Sequence, residues 1–253
     1  MFQACWHPEI LSCSQFLIVY LTGALAGFIN VVGGGGSILT LPVLMWIGLP
    51  SSVANATNRI AILTESIAGA VGFSSKGIRP ERKVIPAVMF ASSGSILGSF
   101  FVLSIQIESL NRVIAILLLL AAFITVFRPP KVEVGKASLL STAVIFLAVG
   151  FYGGFIQAGV GFLLMIAITF VFGFDLVLTN ATKVITVLVY TSFSVIVFIS
   201  RGMIDWIPGL VLSLGNVTGA FLAARMSVRK GAKFSRCILI IVVLINAIKY
   251  LLF

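Results

Sequence analysis

Apolar segments broken by Gly, Pro or charged residues fill almost the whole sequence, and they limit its fold more than any other feature. They lie near 16 to 32, 37 to 47, 54 to 73, 84 to 103 and 110 to 127, then near 139 to 157, 162 to 172, 179 to 199, 207 to 225 and 234 to 252. Most approach the roughly 20 residues a helix needs to cross about 30 Å of hydrocarbon. They are continuously apolar rather than alternating with period two, which predicts helices and argues against an outer-membrane barrel. Composition agrees. The chain is 60% hydrophobic and 9% charged, with a mean hydropathy of +1.19, whereas soluble domains carry about 25% charged residues. An all-α integral membrane protein is expected. The N-terminus has neither the basic region nor an obvious cleavage site of a secretory signal, so 16 to 32 is read as a first span.

The second five segments reproduce the lengths of the first five, and residues match in the same order. "GALAGFIN" (23 to 30) pairs with "GFYGGFIQ" (150 to 157), "GGG" (34 to 36) with "GVG" (159 to 161), and "NATN" (55 to 58) with "NATK" (180 to 183). "VIPAV" (84 to 88) pairs with "WIPGL" (206 to 210), "GSILGS" (94 to 99) with "GNVTGA" (215 to 220), and Arg112 with Arg236. The chain reads as a duplication of the kind on which many transporters are built. It divides into an N-terminal extension (1–15), a first transmembrane repeat (16–127), a cytoplasmic linker (128–138) and a second transmembrane repeat (139–253).

Charge placement selects a topology. Five segments per half invert the second half relative to the first. One side then collects Lys76, Arg79, Arg82, Lys83, Arg128, Lys131, Lys136, Arg225, Arg229, Lys230, Lys233 and Arg236, leaving Arg112 and Arg201 on the other. Four segments per half would put the basic loop 225 to 236 opposite the other basic loops, against the tendency of cytoplasmic loops to retain Lys and Arg. The expectation is an inverted repeat in the cytoplasmic membrane with both termini outside. The net charge of +10 then requires no nucleic acid. Cys5, Cys13 and Cys237 have no metal spacing, and no structural disulfide is expected.

Segments 37 to 47 and 162 to 172 are too short to span: eleven helical residues rise only about 16 Å. Each follows a glycine-rich turn, predicting a broken hairpin, spanning or re-entrant, with its tip at membrane depth, where irregular backbone is tolerated if it lines a cavity. At a helix start the first N–H groups lack internal partners and the dipole is positive. Glycines there let an anion approach the backbone. Gly33, Gly34, Gly35 and Gly36, with Gly159 and Gly161, are therefore candidate anion ligands. The plainer reading is that they permit close helix packing.

Arg59, Glu65 and Lys183 fall inside predicted spans, where charge is costly and points to function. Arg59 in "NATNR" and Lys183 in "NATK" occupy nearly the same place in each repeat, as anion ligands or as side chains that snorkel to water. Asn55, Thr57, Asn58, Asn180 and Thr182 add hydrogen-bonding groups beside them, for substrate or for neighbouring helices. Glu65 reads as a proton-accepting coupling group or, as favoured here, the charge partner of Arg59 or Lys183. No catalytic or metal-binding group emerges: His7 is the single histidine, and no phosphate-binding lysine follows the glycines. No cofactor is expected.

The stretch "GFINVVGGGGSILTLPVLMWIGLPSSVANATNRIAILTESIAGAVGF" with "KGIRPERKVIPAVMFASSGSILGSF" and the weaker second copy resembles the sulfite exporter TauE/SafE family of membrane permeases. The resemblance implies transport of a sulfur-containing anion such as sulfite or a sulfonate. Residues and resemblance together predict a secondary transporter in which a small anion binds between the repeats and rocking exposes it alternately to each side. A negative-inside potential favours anion exit by about 2.3 kcal/mol per charge at 100 mV. An anion-selective channel would share the lining but show no counterflow. A non-transporting assembly factor would need larger polar loops than the dozen or so residues seen here. The expected partners are the substrate anion and the bilayer, with homo-oligomerisation left open.

Overall fold

The computed structural model describes residues 12–104 and 137–252, with side chains described as far as Lys230. Among them all regular structure is helical: α1 (Cys13–Val32), α2 (Ser37–Trp46), α3 (Ser51–Ser74), α4 (Ile85–Leu103), α5 (Leu139–Phe155), α6 (Val160–Phe172), α7 (Leu176–Ser200) and α8 (Trp206–Leu252). The expected segment 110 to 127, Arg112 and most of the linker 128–138 lie outside the described residues.

Local chemistry explains several helix starts. Ser12 and Gln15 form a capping box at α1, with the Ser12 amide donating to Gln15 Oε1 at 2.8 Å. Asp175 accepts the Leu178 amide at 2.8 Å at the start of α7. Each satisfies an amide that the helix itself leaves unpaired. Cys13–Val32, Arg82–Leu103, Leu176–Ser200 and Trp206–Lys230 are long and apolar enough to cross a membrane. Their outward faces carry Leu21, Leu25, Met89, Leu97, Leu210 and Leu214, all exposed. Such a surface suits lipid and would be an aggregation liability in water. The chain is a multi-pass membrane protein.

One boundary differs from expectation. Segments 207 to 225 and 234 to 252 form a single 47-residue helix, so the backbone makes no loop at 225 to 236. That stretch, "RMSVRKGAKFSR", is rich in Arg and Lys, contains one Gly and no Pro, and so keeps helical propensity despite its charge. Basic residues were mistaken for a loop. The return crossing that placed the C-terminus outside is therefore not made by a separate helix.

Two helix crossings organise the bundle, and they are reciprocal. Gly23 and Gly27 of α1 face Leu212 and Asn216 of α8, while Gly215 and Gly219 of α8 face Tyr20, Ala24 and Phe28 of α1. Gly94 and Gly98 of α4 face Leu147, Phe151 and Phe155 of α5, while Gly150 and Gly154 of α5 face Ala91 and Ser95 of α4. Small residues four apart let membrane helices approach closely enough for dispersion to hold them. The first helix of each half thus packs on the helix of the fourth segment of the other.

α2 and α6 have 10 and 13 residues, hence rises of about 15 and 20 Å, short of the hydrocarbon thickness. They belong to the hairpins α1–α2 and α5–α6, whose tips meet: a Cβ on Gly161 would lie 2.6 Å from the Gly34 Cα. Gly34 also has φ +79°, a conformation that glycine adopts without steric cost. The end of α3 reaches α8 at Gly72 and Ala224, and Lys83 lies 4.7 Å from the Phe174 ring. These contacts gather Lys76, Arg79, Arg82, Lys83, Arg225, Arg229 and Lys230 at one end of the bundle. The starts of α3 and α8 share the other end, where the Asp205 amide donates to Thr57 Oγ1 at 2.9 Å.

Candidate functional site

Between the hairpin tips and the middle of α3 and α7 lies a cavity of ≈ 30 Å³, bordered by Asn30, Ser37, Glu65, Gln157, Gly161 and Lys183 among others. A cavity of that size holds about one water. Its polar lining comes from the C-terminal end of α1, the first residues of α2 and α6, Gln157 of the second tip, Ser66 of α3, and the ionisable side chains Glu65 and Lys183.

The helix starts bring unpaired donors. Among the described residues the amides of Gly35, Ser37 and Gly161 have no acceptor, whereas the Gly36 amide donates to Asn30 Oδ1. Ser37 and Gly161 line the cavity, so positive ends of two short helices converge on it. Gln157, at the second tip, is the non-glycine residue with positive φ (+68°) among those described. Such backbone persists where surrounding bonds hold it, and Gln157 donates through Nε2 to Tyr190 Oη at 2.9 Å while its Oε1 accepts from Arg59 at 3.1 Å.

Lys183 is buried and spends its three donors on neutral oxygens: Asn30 O at 2.8 Å, Val31 O at 3.1 Å and Asn180 Oδ1 at 2.9 Å. The ammonium thereby caps the C-terminal end of α1, where the helix dipole favours a cation. Its charge still borders the cavity. Asn180 Nδ2 adds a bond to Val32 O at 3.0 Å.

Arg59 does the same for the other half. It donates to the carbonyls of Gly153 and Gly154 at the end of α5, and its guanidinium lies 5.3 Å from the Phe198 ring. Asn55 Nδ2 bonds Phe155 O at 2.8 Å, as Asn180 bonds Val32. Each "NAT" motif and its cation therefore clamp the first helix of the opposite half.

Glu65 is buried and accepts from Asn30 Nδ2 at 2.8 Å and Asn216 Nδ2 at 2.6 Å. Among the described residues no ion pair joins it to Arg59 or Lys183; it faces Lys183 across the cavity. Its direct hydrogen-bond partners are two amides, and the charge of Lys183 acts on it without a direct ion pair. Away from the membrane core, desolvation holds the half-buried Asp205 carboxyl above its usual range, partly offset by the Ile207 amide.

Of the residues expected from sequence, Gly161, Lys183 and Glu65 border the cavity. Arg59, Asn55 and Asn180 serve helix ends, Thr57 serves Asp205, and Asn58 Oδ1 accepts from Thr40 at 2.7 Å. Gly33 to Gly36 and Gly159 form the tips without lining the cavity, and Thr182 Oγ1 is buried without a partner. Asn30, Ser37, Gln157 and Asn216 were missed as site residues. Asn30 and Gln157 end the matched "GFIN" and "GFIQ" motifs, a polar residue kept at the same place in both copies, and that signal was available.

Comparison with known proteins gives a consistent answer. A Haemophilus influenzae protein described as a probable membrane transporter protein is 28% identical over 88% of this chain and 89% of its own length. The Escherichia coli K12 probable membrane transporter protein YfcA is 27% identical over 92% of this chain and 88% of its own. A Sinorhizobium probable membrane transporter protein, ORF9, is 25% identical over 92% and 91% respectively. No solved structure matches significantly. The family model described as sulfite exporter TauE/SafE matches residues 19–250, which takes in both hairpin tips and both cation clamps. On that span, the chain belongs to the TauE/SafE family of membrane transporters.

Proposed function

We propose that this protein is a secondary transporter that moves a small anion, a sulfur oxyanion or organosulfonate such as sulfite, across the cytoplasmic membrane by alternating access. The observation that carries the reading is the meeting of two helix N-termini, with unpaired amides at Ser37 and Gly161, over a cavity bordered by the Lys183 cation. Backbone amides supply directional bonds to oxyanion oxygens, and Lys183 supplies charge. The ligands are the amides of Ser37 and Gly161 with Lys183 and Asn30, which border the cavity, while Gly33 to Gly36 and Gly159 shape the tips that present them. Arg59, Asn55 and Asn180 hold the hairpins that carry those ligands.

The two halves are inverted in the membrane, with the basic end of the bundle cytoplasmic and the N-terminus opposite. The tip-to-tip approach of Gly34 and Gly161 is a closed contact. It favours a carrier that opens to one side at a time over a continuous pore. The test is purified protein in liposomes with sulfite, sulfonates, sulfate and organic acids. Saturable uptake accelerated by the same anion inside supports the reading, and flux without saturation or counterflow points to a channel.

A further inference from the structure

Glu65 is the one buried carboxylate among the described residues, while Arg59 and Lys183 are buried cations. Among the described residues the buried charges thus sum to one positive unit when Glu65 is ionised. An incoming monoanion would share a cavity of ≈ 30 Å³ with that carboxylate, and two negative charges a few ångströms apart in a poorly solvated site repel strongly. The repulsion disappears if Glu65 takes up a proton as the anion enters. The interior charge then stays at one positive unit before and after binding.

The surroundings of Glu65 suit both protonation states. The groups facing it are Asn30 from α1, Ser37 at the start of α2, Lys183 and Tyr190 from α7, and Asn216 from α8. Arg59, on Glu65's own helix, is engaged by α5. Asn30 and Asn216 donate to the ionised carboxylate. Asn216 Oδ1 meanwhile is buried with no donor, an arrangement that costs about 1–3 kcal/mol. A protonated carboxyl presents one O–H, and a half-turn of the Asn216 amide would bring its unpaired oxygen to that hydrogen. The second half supplies a neutral counterpart: Tyr190, ten residues after Asn180 as Glu65 is after Asn55, is bonded by Gln157 as Glu65 is by Asn30.

We infer that Glu65 is the proton-carrying residue of this transporter and that each monovalent anion crosses together with one proton, with Asn216 as the switching hydrogen-bond partner. The proton comes from water on the side of anion entry, rides on the carboxyl and returns to water on the other side. This inference rests on the anion-transport reading above.

Proteoliposomes test it with methanesulfonate, which stays ionised over the pH range used. In the unaltered protein, an inward proton gradient should drive accumulation at least tenfold beyond the pH-matched control. A trapped pH dye should acidify in step, and a potassium diffusion potential should change the rate by less than twofold. Glu65→Gln should abolish gradient-driven accumulation and make the remaining flux voltage-dependent. Saturable flux of unaltered protein that moves no protons and follows voltage overturns the coupling while leaving anion transport intact. No saturable flux of any anion removes the transport reading and the coupling with it. The measurements on unaltered protein decide the matter even if Glu65→Gln does not fold.

Discussion

The cluster of Asn30, Glu65, Lys183 and Asn216 and the cluster of Gln157, Tyr190, Arg59 and Ser95 occupy matching places in the two halves, yet they behave differently. In both, a cation from one half caps the first helix of the other, and an amide side chain at that helix end reaches a polar group ten residues past the asparagine of the NAT motif. In the first cluster that polar group is a carboxylate and the lysine borders a cavity. In the second it is a phenol, and Ser95 bonds the Tyr190 carbonyl at 3.2 Å and Ser194 at 2.7 Å. The same scaffold sets a carboxylate facing the Lys183 cation in the first cluster, and in the second leaves the Arg59 cation with neutral partners only. Matching positions in the two halves can thus carry a carboxylate in one cluster and a phenol in the other on the same frame.

Substitutions can break or sharpen that contrast. The largest effect is expected at Arg59, on the framework side. Arg59→Met strips donors from two buried carbonyls and from Gln157, each loss costing about 1–3 kcal/mol, so the folded fraction in detergent should fall sharply by thermal unfolding. Gly161→Val comes next. Its side chain would collide with the opposing tip at Gly34, and strain of about 1–3 kcal/mol should leave expression measurable but transport near background. Lys183→Gln should preserve most folding, because an amide can still donate to the α1 carbonyls, while kcat/KM for the anion falls tenfold or more, about 1.4 kcal/mol. An equal loss of stability in Lys183→Gln and Arg59→Met would erase the proposed division of labour.

Smaller effects follow. Tyr190→Phe removes the acceptor for Gln157 and should cost about 1 kcal/mol, with no change in the pH dependence of transport. Asp205→Asn should act least. The carboxyl of Asp205 is held above its usual range in the folded state, so its contribution to stability is fullest below the unfolded pKa and declines as pH rises through the folded one. The amide should therefore raise stability at neutral pH by less than about 1 kcal/mol, with the gain vanishing in acid, as melting temperatures at two pH values would show.

Much of this architecture is written in local patterns. The glycines of the tips, the short lengths of α2 and α6 and the two NAT motifs with their cations are contiguous signals, and a helix rise or a missing side chain translates each into structure. What those residues touch is not contiguous. Arg59 looks like an anion ligand in sequence because nothing nearby reveals that the carbonyls of Gly153 and Gly154, some ninety residues away, will meet it. Asn216 looks like a spacer between Gly215 and Gly219 until the crossing with α1 brings it to Glu65. Residues 225 to 236 mislead differently: their charges suggest a loop, but backbone propensity keeps them helical once neither Pro nor a glycine pair interrupts.

The exchange of clamps between the halves bears on biosynthesis. When α3 leaves the ribosome, its guanidinium has none of the acceptors it will finally hold, because the helix that supplies them is not yet made. Until then the nascent chain must shelter that charge with water, lipid headgroups or the insertion machinery. Commitment of the first half to its mature arrangement therefore waits on synthesis of the second.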